Sequence, residues 1–431
     1  MLTIYLPEKS PRSIYVFNHI FSNLYPLPYS ITHDLQVFVN HTGPKFMYHK
    51  ENIPENYFFW KSAGILEETT IHIINPVVKN ELIYLTEDTE DFDPFSAIFY
   101  LLSRYEEYTR PHRDQHGRFL PENSVIFQNR LELIPLVEKY AGMVITTLKT
   151  WFPGQINYTR AVPKALITID IDSAYAYLHK PWYRKQILVI KSFFRKEETP
   201  PLKVIYGKKK DPYDSYDYLI EMAEKTGFNF LYFFLLAGWN RYDKNISPKN
   251  LKYRQLIKKL SQTNLTGIHP SYYSPERTEL YKKEIRILSE ITGRPVTASR
   301  QHYLRFSLPF TYRELIKNGI TEEYSMGYAG RSGFRAGTCS PFYWFDMEQN
   351  AVTDLKIFPV SYMDNTFSDY YGMNPEESIN KIKTLAEIIY QNHGMFIPLW
   401  HNHTVNDYGP YKGWRKVFEE NLSLLKEMGY E

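Results

Sequence analysis

The stretch Thr168-Ile-Asp170-Ile-Asp172 sets two carboxylates two residues apart in an apolar run. In an extended segment, residues at that spacing point to the same face. Both acids would then stand side by side at the C-terminal end of a strand. One can bind a metal ion while its neighbour takes a proton. Three more polar clusters end apolar runs in the same way. They are Gly267-Ile-His269-Pro-Ser-Tyr-Tyr273, Ser299-Arg300-Gln-His302 and Leu399-Trp400-His401-Asn402-His403. Each alone reads equally well as capping or core hydrogen bonding. Together they place Asp, His and Arg at successive strand ends, where α/β barrels carry their active sites. A D-x-D pair also suits a nucleotide-sugar glycosyltransferase, a class that does not require the later histidines.

The elements that must position these residues follow from periodicity. Candidate strands are Lys164–Asp170, Phe228–Leu236, Leu265–His269, Val296–His302, Glu323–Tyr328, Leu355–Val360 and Met395–His401. Helical segments between them are Asn250–Leu260, Pro275–Thr292, Thr311–Lys317 and Pro375–Asn392, with Gly293 and Gly394 as stop signals. About seven strands with helical crossovers argue for a parallel α/β domain, either a barrel or a doubly wound sheet. The first 150 or so residues read as a smaller α+β domain. Leu2–Leu6 and Leu35–Asn40 have strand character. Phe95–Tyr108 reads as a helix with Asp93 as N-cap and Pro94 at its first position, and Leu131–Trp151 as a second. Turn signals in 152–163 put the domain boundary near residue 160.

Composition bounds the rest. The chain has 431 residues, 43% hydrophobic and 23% charged, which suits two globular domains with ordinary cores. A net charge of +3 gives no global argument for nucleic acid. A single cysteine, Cys339, excludes an intramolecular disulfide. The N-terminus lacks the basic and long apolar regions of a signal peptide. No run reaches the roughly 18 apolar residues of a membrane span. The expectation is a cytoplasmic protein. Aromatic residues make up 16%, and rings stack on the apolar faces of sugars, although core packing explains most of them. Residues 180–210 carry ten Lys or Arg against two Glu, interleaved with Trp182, Tyr183, Ile187 and Ile190. That stretch reads as a basic amphipathic insertion. It fits contact with an anionic membrane or polysaccharide, or a packed helix with a solvated face.

These motifs resemble those of the polysaccharide deacetylases, the chitooligosaccharide deacetylase homology family, over roughly residues 160–405. The resemblance implies a distorted seven-stranded (β/α) barrel at 161–431, preceded by the α+β domain at 1–160. The run Phe92-Asp-Pro-Phe-Ser-Ala-Ile-Phe-Tyr-Leu-Leu-Ser-Arg-Tyr-Glu-Glu-Tyr108 resembles the domain that precedes such a barrel in proteins of Bacteroidetes type. The family's T-F-D-D appears here with one residue inserted, which implies Asp170 as general base and Asp172 as metal ligand. His269 matches the first histidine of H-[S/T]-x-x-H, but Tyr273 stands where the second should be. His302, on the same rim, is the candidate replacement ligand. The resemblance further implies that Arg300 orients the base and that His401 is the general acid. It also implies a divalent ion, zinc by preference, and removal of N-acetyl groups from a carbohydrate. Trp400 and Tyr273 are expected to contact substrate, and Arg335 either to bind substrate or to pair with a carboxylate. The missing histidine leaves a non-catalytic carbohydrate-binding relative as a further reading.

Overall fold

The computed structural model describes residues 1–51, 57–195 and 201–431. Lys196, in the basic stretch, lies outside the described residues, as do the side chains of Lys191 and Arg195. The chain forms two units. One comprises Met1–Val162 with Phe334–Ile357, the other Pro163–Gly333 with Phe358–Glu431.

The first unit is built on a parallel sheet in the order Tyr29–Thr32, Leu2–Tyr5, Lys45–His49, Phe59–Lys61. The expected strand at Leu35–Asn40 is instead a helix. Asp34 caps it by accepting from the Gln36 and Val37 amides, and that local bond outweighs the β-propensity of two valines. The Asp93 cap forms: its carboxylate accepts from the Phe95 and Ser96 amides. The helix expected over Phe95–Tyr108 breaks into Pro94–Leu102 and Tyr105–Thr109. Arg104 takes a left-handed conformation at the break, with φ 55°. From there its guanidinium donates to Glu106 at 3.0 Å and Glu107 at 2.9 Å. Arg335 closes a fork on Glu107 at 3.0 and 2.7 Å. The Ser-Arg-Tyr-Glu-Glu run is therefore a buried ionic knot that ties the returning segment to this unit. Leu355–Val360 was expected as a strand of the later domain. The strand is Ala351–Ile357, paired antiparallel with Phe342–Asp346 within the first unit.

In the second unit the strands are parallel. Glu322–Glu323, Ala298–Ser299, Leu265–His269, Asn229–Leu235, Lys164–Ile171, Pro398–His401 and Tyr362–Met363 lie side by side in that order. Pairing forms an open path and not a closed ring. Backbone bonds from Phe358 to Glu323, 2.8 Å, and from Val360 to Met326, 2.9 Å, join segments next to its two ends. Helices Leu251–Thr263, Glu279–Thr292, Phe310–Lys317 and Pro375–Gln391 fall where the periodicity predicts. A stop at Gly293, with φ 70°, ends the second of them. Leu166, Leu231, Phe233, Ala298, Tyr324, Phe358 and Ile397 form a core beneath the strand ends. Among the described residues, no helix is long and apolar enough to cross a membrane.

Candidate functional site

Asp170 is the penultimate residue of Lys164–Ile171, and Asp172 follows that strand's end. Both carboxylates face His269 at the end of the neighbouring strand but one. Its Nε2 lies 3.1 Å from Asp172 Oδ1 and 3.6 Å from Asp170 Oδ2. Nδ1 of His269 sits 2.5 Å from the Arg300 carbonyl, which can only accept, so that nitrogen carries the proton. Nε2 is thereby left with its lone pair towards the carboxylates.

His302 is held in the same way. Its Nδ1 lies 2.8 Å from Asp243 Oδ1, and its Nε2 is 3.6 Å from Asp172 Oδ2. Asp243 is fully buried and is fixed by the Tyr272 amide at 3.1 Å and the Asn240 amide group at 2.6 Å. Asp172, His269 and His302 each bring one ligand atom within 4.8 Å of the others. Asp172 Oδ1 is buried and makes no hydrogen bond. One carboxylate and two imidazoles, each imidazole oriented by an outer acceptor, is a donor set that suits a catalytic zinc-type ion. The orphaned carboxylate oxygen marks where such an ion fits.

Asp170 is set for a different task. Arg300 donates from Nη1 to Asp170 Oδ1 at 2.9 Å and from Nε to the Tyr324 carbonyl at 2.9 Å. The guanidinium lies 4.5 Å above the Phe233 ring. That ring needs a glycine at 267, because a Cβ there would meet it at 2.5 Å. Gly267 thus supports Asp170 through two intermediaries, Phe233 and Arg300.

His401 ends its strand with Nδ1 2.7 Å from Asp364 Oδ1 and Nε2 3.6 Å from Asp172 Oδ2. Asp364 also accepts from the His401 amide, 2.7 Å, and the Thr404 hydroxyl, 2.5 Å. Burial opposes charging of both imidazoles, but the carboxylates outweigh it. Without an ion, Asp172 and Asp243 raise His302 to about 9, so its Nε2 must lose a proton to bind one, while Asp364 with Asp172 raises His401 to about 10. For Asp172 burial pulls upwards, yet the charge of His302 holds the carboxyl well below its usual range.

Asp170, Asp172, His269, Arg300, His302 and His401 therefore converge. Two of the residues expected at the substrate, Trp400 and Arg335, do not join them. Trp400 is fully buried and packs on Tyr362, Trp414 and Phe418, since strand alternation turns it away from the face of His401. Arg335 belongs to the first unit and is bound to Glu107. Tyr273 meets Tyr242 and Tyr272 edge-on, in a ring group that also includes Tyr303. Asp243 and Asp364 went unremarked in the sequence. Asp364 follows the strand Tyr362–Met363 directly, the positional signal that marks the others, whereas Asp243 lies eight residues beyond the strand Asn229–Leu235 and carries no such signal.

A model of a family of unknown function, DUF7033, matches residues 2–153. No curated protein matches the sequence. Among solved structures, one from Mycobacterium smegmatis described as a polysaccharide deacetylase is 12% identical, over 63% of this chain and 88% of that one, with a TM-score of 0.41. A polysaccharide deacetylase from Bacillus cereus is 13% identical, over 62% and 90%, with a TM-score of 0.33. A family 4 carbohydrate esterase pseudoenzyme from Bacillus anthracis is 12% identical, over 63% of each chain, with a TM-score of 0.30. Likenesses this distant leave the chemistry to be read from the chain's own residues.

Proposed function

We propose that the second unit is a metal-dependent hydrolase that removes N-acetyl groups from a carbohydrate. The observation that carries this reading is the Asp172–His269–His302 triad, flanked by an arginine-held carboxylate on one side and a carboxylate-backed histidine on the other. Asp172, His269 and His302 would hold the ion. When bound, it supplies Lewis acidity towards an acyl oxygen and lowers the pKa of water.

The residues then divide the proton work. Arg300 occupies Asp170 Oδ1, so Oδ2 is the oxygen that takes the proton of the attacking water. The same arginine keeps Asp170 oriented throughout. His401 holds its proton at Nε2 while Asp364 grips Nδ1, and a protonated imidazole is what the leaving nitrogen needs. Acetate and a free amine result. A sugar substrate is favoured by Tyr273 and Tyr303, each more than one-third exposed, in the tyrosine group beside His302. The Tyr303 ring meets the His302 ring edge-on at 4.7 Å. A glycosyltransferase would not require the histidines His269, His302 and His401 at the strand ends.

The test is acetate release from N-acetylglucosamine oligosaccharides. Asp170→Asn should retain the ion and lose about a hundredfold or more in turnover. Asp172→Asn should lose the ion. Equal ion loss in both variants, or sugar bound with no acetate released by the metal-loaded protein, would count against the assignment. A second measurement addresses His401. Asp364 is the largest influence raising its pKa against burial. Asp364→Asn should therefore move the basic limb of the pH–rate profile to lower pH, because the acid form is lost earlier. An unmoved limb would remove His401 from the acid role.

A further inference from the structure

The basic stretch folds as helix Trp182–Arg195, followed by the short helix Pro201–Ile205. One face of the longer helix is anchored. Arg184 donates to the carbonyls of Asn245, 3.2 Å, and Lys244, 2.9 Å. Leu188 packs against Ala176, Tyr177 and Val204. Tyr183, Ile187 and Ile190 recur at three- and four-residue spacing, so they share a stripe on another side. That stripe is not covered: Ile187 and Ile190 are 48% and 59% exposed, and Trp182 is 71% exposed. Leu202 and Tyr206 extend the exposed apolar surface past the second helix. Lys203, Lys208, Lys209 and Lys210 lie exposed beside it. A large ring and two branched aliphatics in water are unfavourable unless something covers them.

We propose that this face is an interfacial anchor for an anionic lipid bilayer. Charge selects that occupant. Lys203, Lys208, Lys209 and Lys210 are exposed and residues 201–210 carry no acid, in a chain whose total charge is only +3. A second copy docking on this face would bring like charges together. An anionic bilayer satisfies both features at once. Its headgroups meet the lysines while Trp182, Ile187 and Ile190 enter the acyl boundary. The helix lies in the interface plane, as its length and charge require. An anchor on the unit that bears the histidine site would bring that site to substrates at a membrane surface.

Flotation of the full chain with mixed phosphatidylcholine–phosphatidylglycerol vesicles tests this at low ionic strength, with pure phosphatidylcholine vesicles as the comparison. Binding should require the anionic lipid and weaken as salt rises. Changing Lys203, Lys208 and Lys209 to Gln together should weaken it by about a hundredfold, from roughly 1 kcal/mol per lysine. Ile187→Ser with Ile190→Ser should also release the protein, and brominated lipid should quench fluorescence that disappears in Trp182→Phe. All these side chains are exposed, so the fold should persist, and ion retention at Asp172 serves as its check. The proposal is overturned if the unmodified chain stays with the unbound fraction. It is equally overturned if the isoleucine variant binds as before, or if that variant instead disperses a dimer. None of these outcomes depends on whether acetate is released.

Discussion

His302→Ala should abolish tight ion binding while Tyr273→Phe leaves it unchanged. His302 Nε2 faces Asp172, and its Nδ1 is pinned by a buried Asp243. Tyr273 lies at the edge of a ring group, where it meets Tyr242 and Tyr272 edge-on. A phenol is also a poor ligand at neutral pH, since its pKa is about 10. Loss of an orienting partner to a metal-bound histidine costs roughly 10–100-fold in affinity. Asp243→Asn should fall within that range, and His302→Ala beyond it, because a ligand itself is gone. Competition with a chromogenic chelator measures all three. His302→Ala binding zinc as tightly as the unmodified chain would falsify the triad. Equal losses in the Tyr273 variant would show that the aromatic group, and not the imidazole, completes the site.

The residues legible in the sequence are those whose direction follows from strand alternation. Asp170, His269 and His401 each end or nearly end a strand, so periodicity alone puts them on one rim. His302 is different. Its strand is only Ala298–Ser299, and the histidine opens a tight turn in which Tyr303 takes φ 64°. No repeat of two or 3.6 predicts where such a side chain points. The rim position after the His269 strand makes it a ligand candidate, but the turn that aims its imidazole is not written in the periodicity. Trp400 shows the opposite failure: alternation was available and would have turned it into the core. For Arg335 a carboxylate partner is one of two legible readings, but not which carboxylate, because Glu107 lies 228 residues earlier. The same separation hid the return of Phe334–Ile357 to the first unit.

That distant pair carries the second large expectation. Arg335→Met should destabilise the protein by about 3–5 kcal/mol, the usual cost of leaving a buried charge without its partner. Glu107 and Arg335 are both about 2% exposed in their side chains, so solvent cannot take the arginine's place. Burial alone would raise the Glu107 carboxyl, but Arg335 and then Arg104 hold it down to about 2. A depressed carboxyl contributes its full stability above the unfolded value of about 4.3. That contribution is lost as pH falls through the window from about 4.3 to about 2. Urea unfolding of the unmodified chain should therefore show falling stability across that window. In Arg335→Met the carboxyl is held less far down, and the slope there should shrink. Pairing Glu107→Gln with Arg335→Met should cost less than the sum of the single changes, since neither partner is then stranded. Additive losses, or an acid limb with the same slope in Arg335→Met, would mean that the knot at Arg104, Glu107 and Arg335 is not what holds the returning segment in place.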